Sequence, residues 1–528
     1  MRNKRLITLL GSVCLIVVLA ALPFMAACPA PAEEEGCVTD ADCPEGYICV
    51  NGVCVLAEEE EEPLEEREPF KGLNDVPEIE NKEPIFVILQ GNVGEGALAP
   101  YLDQFSAKTG VEIKYEEMIM SVLYPRVNVE LISGSGAYDV ICIEASSTNE
   151  WAPYLYSFQE LAKEFDPLGV AGLDEDMKGL HPAIYRACCD KEGGLFGLPY
   201  YTYQQATFYR KDVFENPIEK ADFLAEYGYE LAPAETWDQV YDHGEFFTRE
   251  KGELLKGEPL ECDIFGLTQM AGRYEINDEI SVRIWSKGGN WVTIERDEDG
   301  NAVGYVITKE NKETLREALT EYKDCLQWCS PGCLTGFWDY CTAQMVAGLA
   351  MEDPHLYLPL DQWAFTVEDE VPGGQIAFAP SPGPVRGQGY IGTFNNGIVR
   401  ETKNPEACYW LCRYLSSYEV QKELIEGGWS GIRMDVYEDP MYETPEWDKL
   451  IGLRGRMLKQ VWDMMEPYVN DIIHFNSDAM GKIYEMQIII CHEAVTGTTT
   501  IDEGVKRMTD VTIELQRKFG MLPIREEK

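Results

Sequence analysis

The chain has 528 residues, with 92 acidic side chains against 44 basic ones and a net charge of -48. That balance argues against nucleic acid or an anionic lipid surface as a partner, and it disfavours anionic solutes. The same acidity also reads as a well-solvated surface suited to a salty medium. The roughly 500 residues beyond the first segment are too many for one core and enough for two sizeable lobes.

Arg2, Lys4 and Arg5 form a positive start, and Leu6 to Leu22 is apolar except for Thr8, Gly11 and Ser12. Met25-Ala26-Ala27-Cys28 then sets two small residues directly before a cysteine. A secretory peptidase needs small side chains at the scissile bond, and the Cys28 thiol offers a point for lipid attachment. The segment resembles a bacterial lipobox, with Met25 where that pattern prefers Leu. Residues 1–27 are expected to be a lipoprotein signal peptide and Cys28 the lipidated position. An ordinary cleaved signal with an incidental cysteine, or an uncleaved anchor, is the alternative. Either way the body is expected outside the cytoplasm, in the periplasm or on the cell surface. No second apolar run is long enough to span a bilayer.

Residues 28–82 read as an acidic tether, since PAPAEEEG and the Glu58–Glu62 run cannot bury enough apolar surface to fold. Within it, Cys37, Cys43, Cys49 and Cys54 crowd into residues 37–54 between turn sequences. In an exported chain this spacing predicts two disulfides stapling a mini-module without a core. The pattern is similar to short cysteine-rich repeats of secreted proteins, and the three possible pairings remain open. Zinc fits less well, because the spacing lacks the CxxC pairs zinc usually takes. Eleven cysteines remain in the body, so at least one is unpaired within the chain. Disulfides are expected for some of Cys188, Cys189, Cys325, Cys329, Cys333 and Cys341. Cys142, Cys408 and Cys412 read equally well as small buried hydrophobes.

The body opens with the apolar run Pro84 to Leu89, a strand buried on both faces. Gly91, Gly94 and Gly96 follow as a loop. Ala97 to Thr109 has helical spacing and stops at Gly110, Val111 to Tyr115 alternates as a strand, and Tyr124 to Ile132 is helical. Asp139 to Ile143 is the third strand. This β-α-β-α-β order predicts an open α/β sheet whose ligands lie beyond the carboxyl ends of the strands. That puts Asn92 and Glu144 on the ligand side.

Six later segments carry a more specific signal. They are LISGSGAYDVICIEASSTNEW, GGLFGLPYYTYQQATFYRKDVFE, PAETWDQVYDHGEFFT, AQMVAGLAMED, IAFAPSPGPVRGQGYIGTFNNGIV and NPEACYWLCRYLSSYEVQKELIEGGWSGIRMDVY. In that order they resemble the extracellular solute-binding proteins that feed ABC importers, in particular family 1, the large sugar-binding group. Met345 stands where that family has Phe, and Gly431 where its late turn has Pro. The resemblance implies a two-lobe periplasmic-binding-protein clamshell of type II kind over residues 83–528, with a first crossover near residues 198–200. It implies capture of a small polar solute, a mono- or oligosaccharide first, and delivery to ABC permease subunits by a membrane-anchored monomer.

Sugar pockets pair aromatic faces with planar polar side chains, because a pyranose has an apolar face and a rim of hydroxyls. By position, the candidates are Asn92, Glu144, Trp151, Tyr200, Tyr201, Trp285, Trp338, Asp353, Arg386, Asn396, Trp429 and Arg433. Trp285 and Trp429 rank first, each near a glycine pair. Tyr201 and Tyr203 share one face if their segment is extended. For the tryptophans a core role is as plausible as a site role, and Arg433 more commonly pairs an acidic neighbour. No GxSxG or HExxH occurs, and none of the five histidines has metal-ligand spacing. No enzyme activity, cofactor, metal or nucleic acid is expected. The alternatives are an exported carbohydrate-active enzyme with a carboxylate pair, or the binding lobe of a surface receptor or scaffold.

Overall fold

The computed structural model describes residues 47–50, 53–56, 70–91, 94–357, 366–385, 387–447 and 451–527. The expected export signal, Cys28, Cys37, Cys43, Asn92 and Arg386 lie outside the described residues. The chain divides into two units, one ending at Arg67 and the other starting at Glu68. In the first, β1 (Tyr47–Val50) pairs antiparallel with β2 (Val53–Leu56), and the register sets Cys49 opposite Cys54.

The second unit holds the α/β body. Its first sheet strands are β3 (Ile85–Gln90), β4 (Ile113–Met118) and β5 (Val140–Glu144). Two helices connect them, α1 (Ala99–Thr109) and α2 (Met120–Ser133). Both helices end at a glycine in the left-handed region, Gly110 with φ 73° and Gly134 with φ 60°, where a side chain would be strained. β3 lies between β4 and β5 and is parallel to both. The β-α-β-α-β unit expected from the apolar periodicity is therefore present.

The long strand β6 (Leu198–Arg210) organises the rest. Pro199 sits near its start, where a missing N–H costs least. Later come β7 (Phe265–Leu267), β8 (Ala350–Tyr357), β9 (Ile376–Ala379) and β10 (Ile391–Val399). The sheet runs β7-β8-β6-β10-β5-β3-β4, with β9 also paired to β6. The first half of β6 pairs with β10, from Leu198 opposite Asn396 to Gln204 opposite Ile391. Its second half pairs with β8 and β9.

Two hydrophobic cores flank that switch. One gathers β3, β5, the helix α1 and later residues such as Trp410 and Leu415. The other gathers Ala206, Phe208, Ile280, Leu356 and the C-terminal residues Trp462, Ile490 and Met508. Tyr203 packs against both. Two lobes thus share one sheet, and the chain crosses between them around Tyr203.

Helices follow the local chemistry. α3 (Trp237–Phe247) starts at a capping box: the Thr236 hydroxyl accepts from the Gln239 amide at 3.2 Å, and the Gln239 side chain accepts from the Thr236 amide at 3.2 Å. In α4 (Ile276–Ser286) all eleven residues are buried, charged ones included. α5 (Pro405–Leu415) is buried from Ala407 onward, and α6 (Tyr418–Glu426) follows it. Near the end, α7 (Met480–Val495) packs on α8 (Ile501–Phe519) and on α4. No described helix is long and apolar enough to cross a membrane.

The body cysteines differ from expectation. All eleven are free thiols, and all but Cys262 are buried. Burial holds Cys188 and Cys408 well above the usual thiol range, as it does Cys412. These side chains serve as small core hydrophobes.

Arg433 also has a structural setting. Its guanidinium donates to Asp176 at 2.7 Å and to Asp435 at 2.7 Å, with the side chain buried. Asp176 also takes a bond from Arg413 of α5 at 3.3 Å. One carboxylate thus ties the helix Gly169–Met177 to α5 and to the turn before Met434. Removing one member of such a buried set leaves charge without a partner. Asp176→Ala should therefore lower unfolding stability by about 3–5 kcal/mol, read from denaturant midpoints. A loss below about 1 kcal/mol would show the clamp to be dispensable.

Candidate functional site

The crossing strand brings carboxylates from both lobes toward one place. Glu144 ends β5 in the first lobe, at the carboxyl end of the strand where α/β sheets bind ligands. One of its oxygens accepts from the Ser146 amide at 2.9 Å and from the Ser146 hydroxyl. The other accepts from the Tyr203 hydroxyl at 3.3 Å and the Tyr390 hydroxyl at 3.2 Å. Asp278 comes from α4 in the second lobe. Its two oxygens accept from Tyr357 and Tyr484, each at 2.6 Å.

The same tyrosines build an aromatic cage. Tyr203 stacks on Tyr390 with ring centres 6.2 Å apart and meets the edge of Tyr357 at 5.3 Å. Trp285 stacks on the Tyr390 ring at 6.0 Å, and His474 meets Trp285 edge-on at 5.4 Å. Trp285 is buried and its indole N–H has no hydrogen-bond partner. Tyr274, from the second lobe, packs against the first lobe's core and lies within reach of both Glu144 and Asp278.

Burial dominates the electrostatics. It raises Glu144 above the ordinary carboxylate range against the pull of its hydroxyl and amide donors. It pushes Asp278 up to about 8, opposed by the two tyrosine hydroxyls and reinforced by the nearby Glu144. Glu275, which accepts from the Trp338 amide at 2.9 Å, is also held well above its usual value by burial. Burial lowers His474 to about 3, so its imidazole is neutral.

The candidates chosen from sequence divide into three groups. Glu144 and Trp285 lie in the cage. Tyr201, Trp429 and Trp338 lie beside it. Tyr201 stacks on Phe394 at 6.2 Å and meets the edge of Trp429 at 6.4 Å, and Phe394 in turn contacts Tyr203 at 5.1 Å. The Trp429 ring rests against Gly96, where a Cβ would come within 3.1 Å of it, and also lies beside Gly427 of its own glycine pair, where a Cβ would stand 3.7 Å from it. Trp338 opens a helix and gives its amide to Glu275.

The third group sits in the framework. Trp151 is buried on Tyr124, ring centres 5.5 Å apart, and its N–H reaches Asn128 at 3.0 Å. Tyr200 is buried with its hydroxyl 3.4 Å from the Cys142 sulfur. Asn396 lies inside the sheet between Leu198 and Cys142, and Arg433 is the ion-pair clamp described above. Asp353 belongs to a separate buried network in the second lobe. Its donor atom lies with those of Glu279 and His355 inside 4.8 Å, a spacing that could hold a metal ion. The network is only partly satisfied internally, since Asp353 Oδ2, His355 Nδ1 and Arg283 Nη1 are buried without a hydrogen-bond partner. The Arg283 Nε donates to His355 Nε2 at 3.3 Å, leaving Nδ1 to face Glu279 Oε1 at 3.2 Å.

Sequence reasoning missed Asp278, Tyr357, Tyr390, Tyr484 and His474. The only available signal was the Tyr201–Tyr203 alternation, which pointed to Tyr203.

Comparison with known proteins agrees with this geometry. Residues 90–252 match the family model described as bacterial extracellular solute-binding protein. An ABC transporter solute-binding protein from Agrobacterium radiobacter K84, in complex with ribitol, aligns over 84% of this chain and 100% of its own, with TM-score 0.63 and 15% identity. Maltose-bound MalE3 of T. maritima aligns over 83% and 100%, with TM-score 0.59 and 19% identity. A D-mannitol-bound solute-binding protein from Agrobacterium vitis S4 aligns over 83% and 99%, with TM-score 0.60 and 19% identity. Sequence comparison with curated proteins finds no match. The fold is that of the two-lobe solute-binding proteins, and residues 90–252 carry the sequence pattern of the bacterial extracellular solute-binding family.

The raised carboxylates set a pH dependence. A carboxyl whose folded pKa lies above its unfolded value binds extra protons when folded, so its stabilising effect is full at low pH and is lost as pH rises through the folded value. His474, lowered to about 3, acts in the opposite sense but only below its unfolded value near 6.5. Between pH 6.5 and 8 the ligand-free protein should therefore lose stability as pH rises. Asp278→Asn should flatten that slope, as followed by denaturant unfolding at several pH values. An unchanged slope in the variant would show that Asp278 is not the titrating group.

Proposed function

We propose that the protein captures a small polar solute, a sugar or polyol first, in the cleft between its lobes and hands it to an ABC permease. The observation carrying this reading is the cage itself, where Glu144 from one lobe and Asp278 from the other flank tyrosine and tryptophan faces. Aromatic faces suit the apolar side of a sugar ring, and hydroxyl–carboxylate pairs suit its rim. Ribitol, maltose and D-mannitol in the structurally similar proteins support this class of solute. A solute touching both lobes only in the closed state shifts the population toward closure and presents a closed shape to a permease. The role is binding without turnover. Lipid on Cys28 keeps the protein at the membrane face where a permease opens.

Thermal shift against a sugar and polyol panel tests the capture step, because a ligand bound only by the native state raises its melting temperature. Trp285→Ala should weaken the binding of any solute so found by about 1–3 kcal/mol. Unaltered affinity in that variant would place the stacking platform elsewhere. The anchor is tested separately by fractionation. Cys28→Ser should move the protein from membrane to soluble fraction, and retention in the membrane fraction would refute lipidation at that residue.

A further inference from the structure

Several acids buried elsewhere in this protein have lysine or arginine partners. Asp176 is held by Arg413 and Arg433, Glu219 by Arg249, and Asp212 by Arg210 and Lys256. The cage acids have none. Among the described residues, no lysine or arginine pairs with Glu144, Asp278 or Glu275, whose donors are tyrosine hydroxyls, a serine and backbone amides. Nearby, the indole N–H of Trp285, on the ring that stacks against Tyr390, is buried without a partner. That N–H is open to an acceptor on a bound solute. The tyrosine faces have the same electrostatic preference as the carboxylates, since the ring quadrupole attracts cations.

Resting on the solute-binding reading above, we propose that the cage selects a polyhydroxylated solute bearing a protonated amine, an amino sugar in kind. The ammonium group takes the position between Glu144 and Asp278 that a lysine or arginine would fill in a framework ion pair. The hydroxylated body stacks on the Trp285 side. A charge-assisted bond to a carboxylate is roughly twice as strong as a neutral one, which gives the amine its advantage over a hydroxyl at the same place.

The groups around Asp278 support a proton signature. Facing it are Tyr357 from β8, Tyr484 from α7, Glu275 and Glu279 on or beside its own helix, Glu144 from β5, Tyr203 from β6, and Tyr274 and Tyr390 from the adjoining loops. All are acids or phenols, so none supplies positive charge. Because Asp278 is largely protonated in the ligand-free protein at pH 7, an arriving ammonium displaces that proton and binding releases it.

Calorimetric titration of the full chain at pH 7 tests this directly. The probes are glucosamine, galactosamine and mannosamine, their neutral and N-acetylated counterparts, and spermidine. At least one amino sugar should bind about tenfold or more tightly than its neutral and N-acetyl forms, with heats that vary with buffer ionisation because a proton is released. Glu144→Gln, checked for an unchanged melting profile, should shrink that preference. Equal affinity for amino and neutral sugars would overturn the amine selection and leave the sugar-binding reading standing. Tightest binding of spermidine would overturn the polyhydroxylated body. No binding by any probe would overturn the proposal together with the sugar reading beneath it. If the variant does not fold, the comparison among probes on the unaltered protein decides.

Discussion

Strand β6 has to satisfy its backbone in two lobes at once, and the rest of the molecule is arranged around that constraint. A segment crossing between two cores exposes N–H and C=O groups that neither core can pair alone. Here β10 takes the first half of the strand, and β8 and β9 take the second. The switch falls at Tyr203 to Gln205, and the side chain at the switch, Tyr203, packs on both cores and reaches Glu144. The interlobe crossing and the candidate site are therefore the same place.

That placement explains an otherwise costly set of buried acids. Desolvating a carboxylate without a countercharge is expensive, and proteins usually neutralise it by pairing or by protonation. Part of the framework of this protein uses pairing, as at Asp176. The interlobe region uses protonation and hydroxyl donors, as the upward shifts of Glu144, Asp278 and Glu275 show. Groups whose titration is shifted by burial collect at binding sites, which is one ground for treating the cage as the candidate site. Tyrosine suits such a site, since it is the side chain that offers a ring face and a hydroxyl together.

Much of the first lobe was legible from local pattern. Strand β3 is a continuous apolar run, and α1 and α2 stop at glycines that adopt the left-handed conformation. Glu144 was legible too, because the carboxyl end of a parallel strand is a ligand position whatever the fold's details. The second lobe was less legible. In α4 the sequence Asn277-Asp278-Glu279 reads as a solvated polar turn of helix, yet every residue of that helix is buried. Trp151, Tyr200 and Asn396 have the chemistry of sugar ligands, but packing assigns them to the framework.

The sequence by itself determined the export pattern to be tested, the α/β class and the loop positions where a solute-binding site could lie, because these depend on neighbours a few residues apart. Which side chains form the site was decided only by the tertiary structure. Glu144 and Asp278 lie far apart along the chain, and Tyr390 and Tyr484 come from still later segments. Only the crossing of β6 and the packing of α4 against α7 bring them together. Contacts between residues so distant along the chain leave no periodicity in it, so no local pattern could have named them.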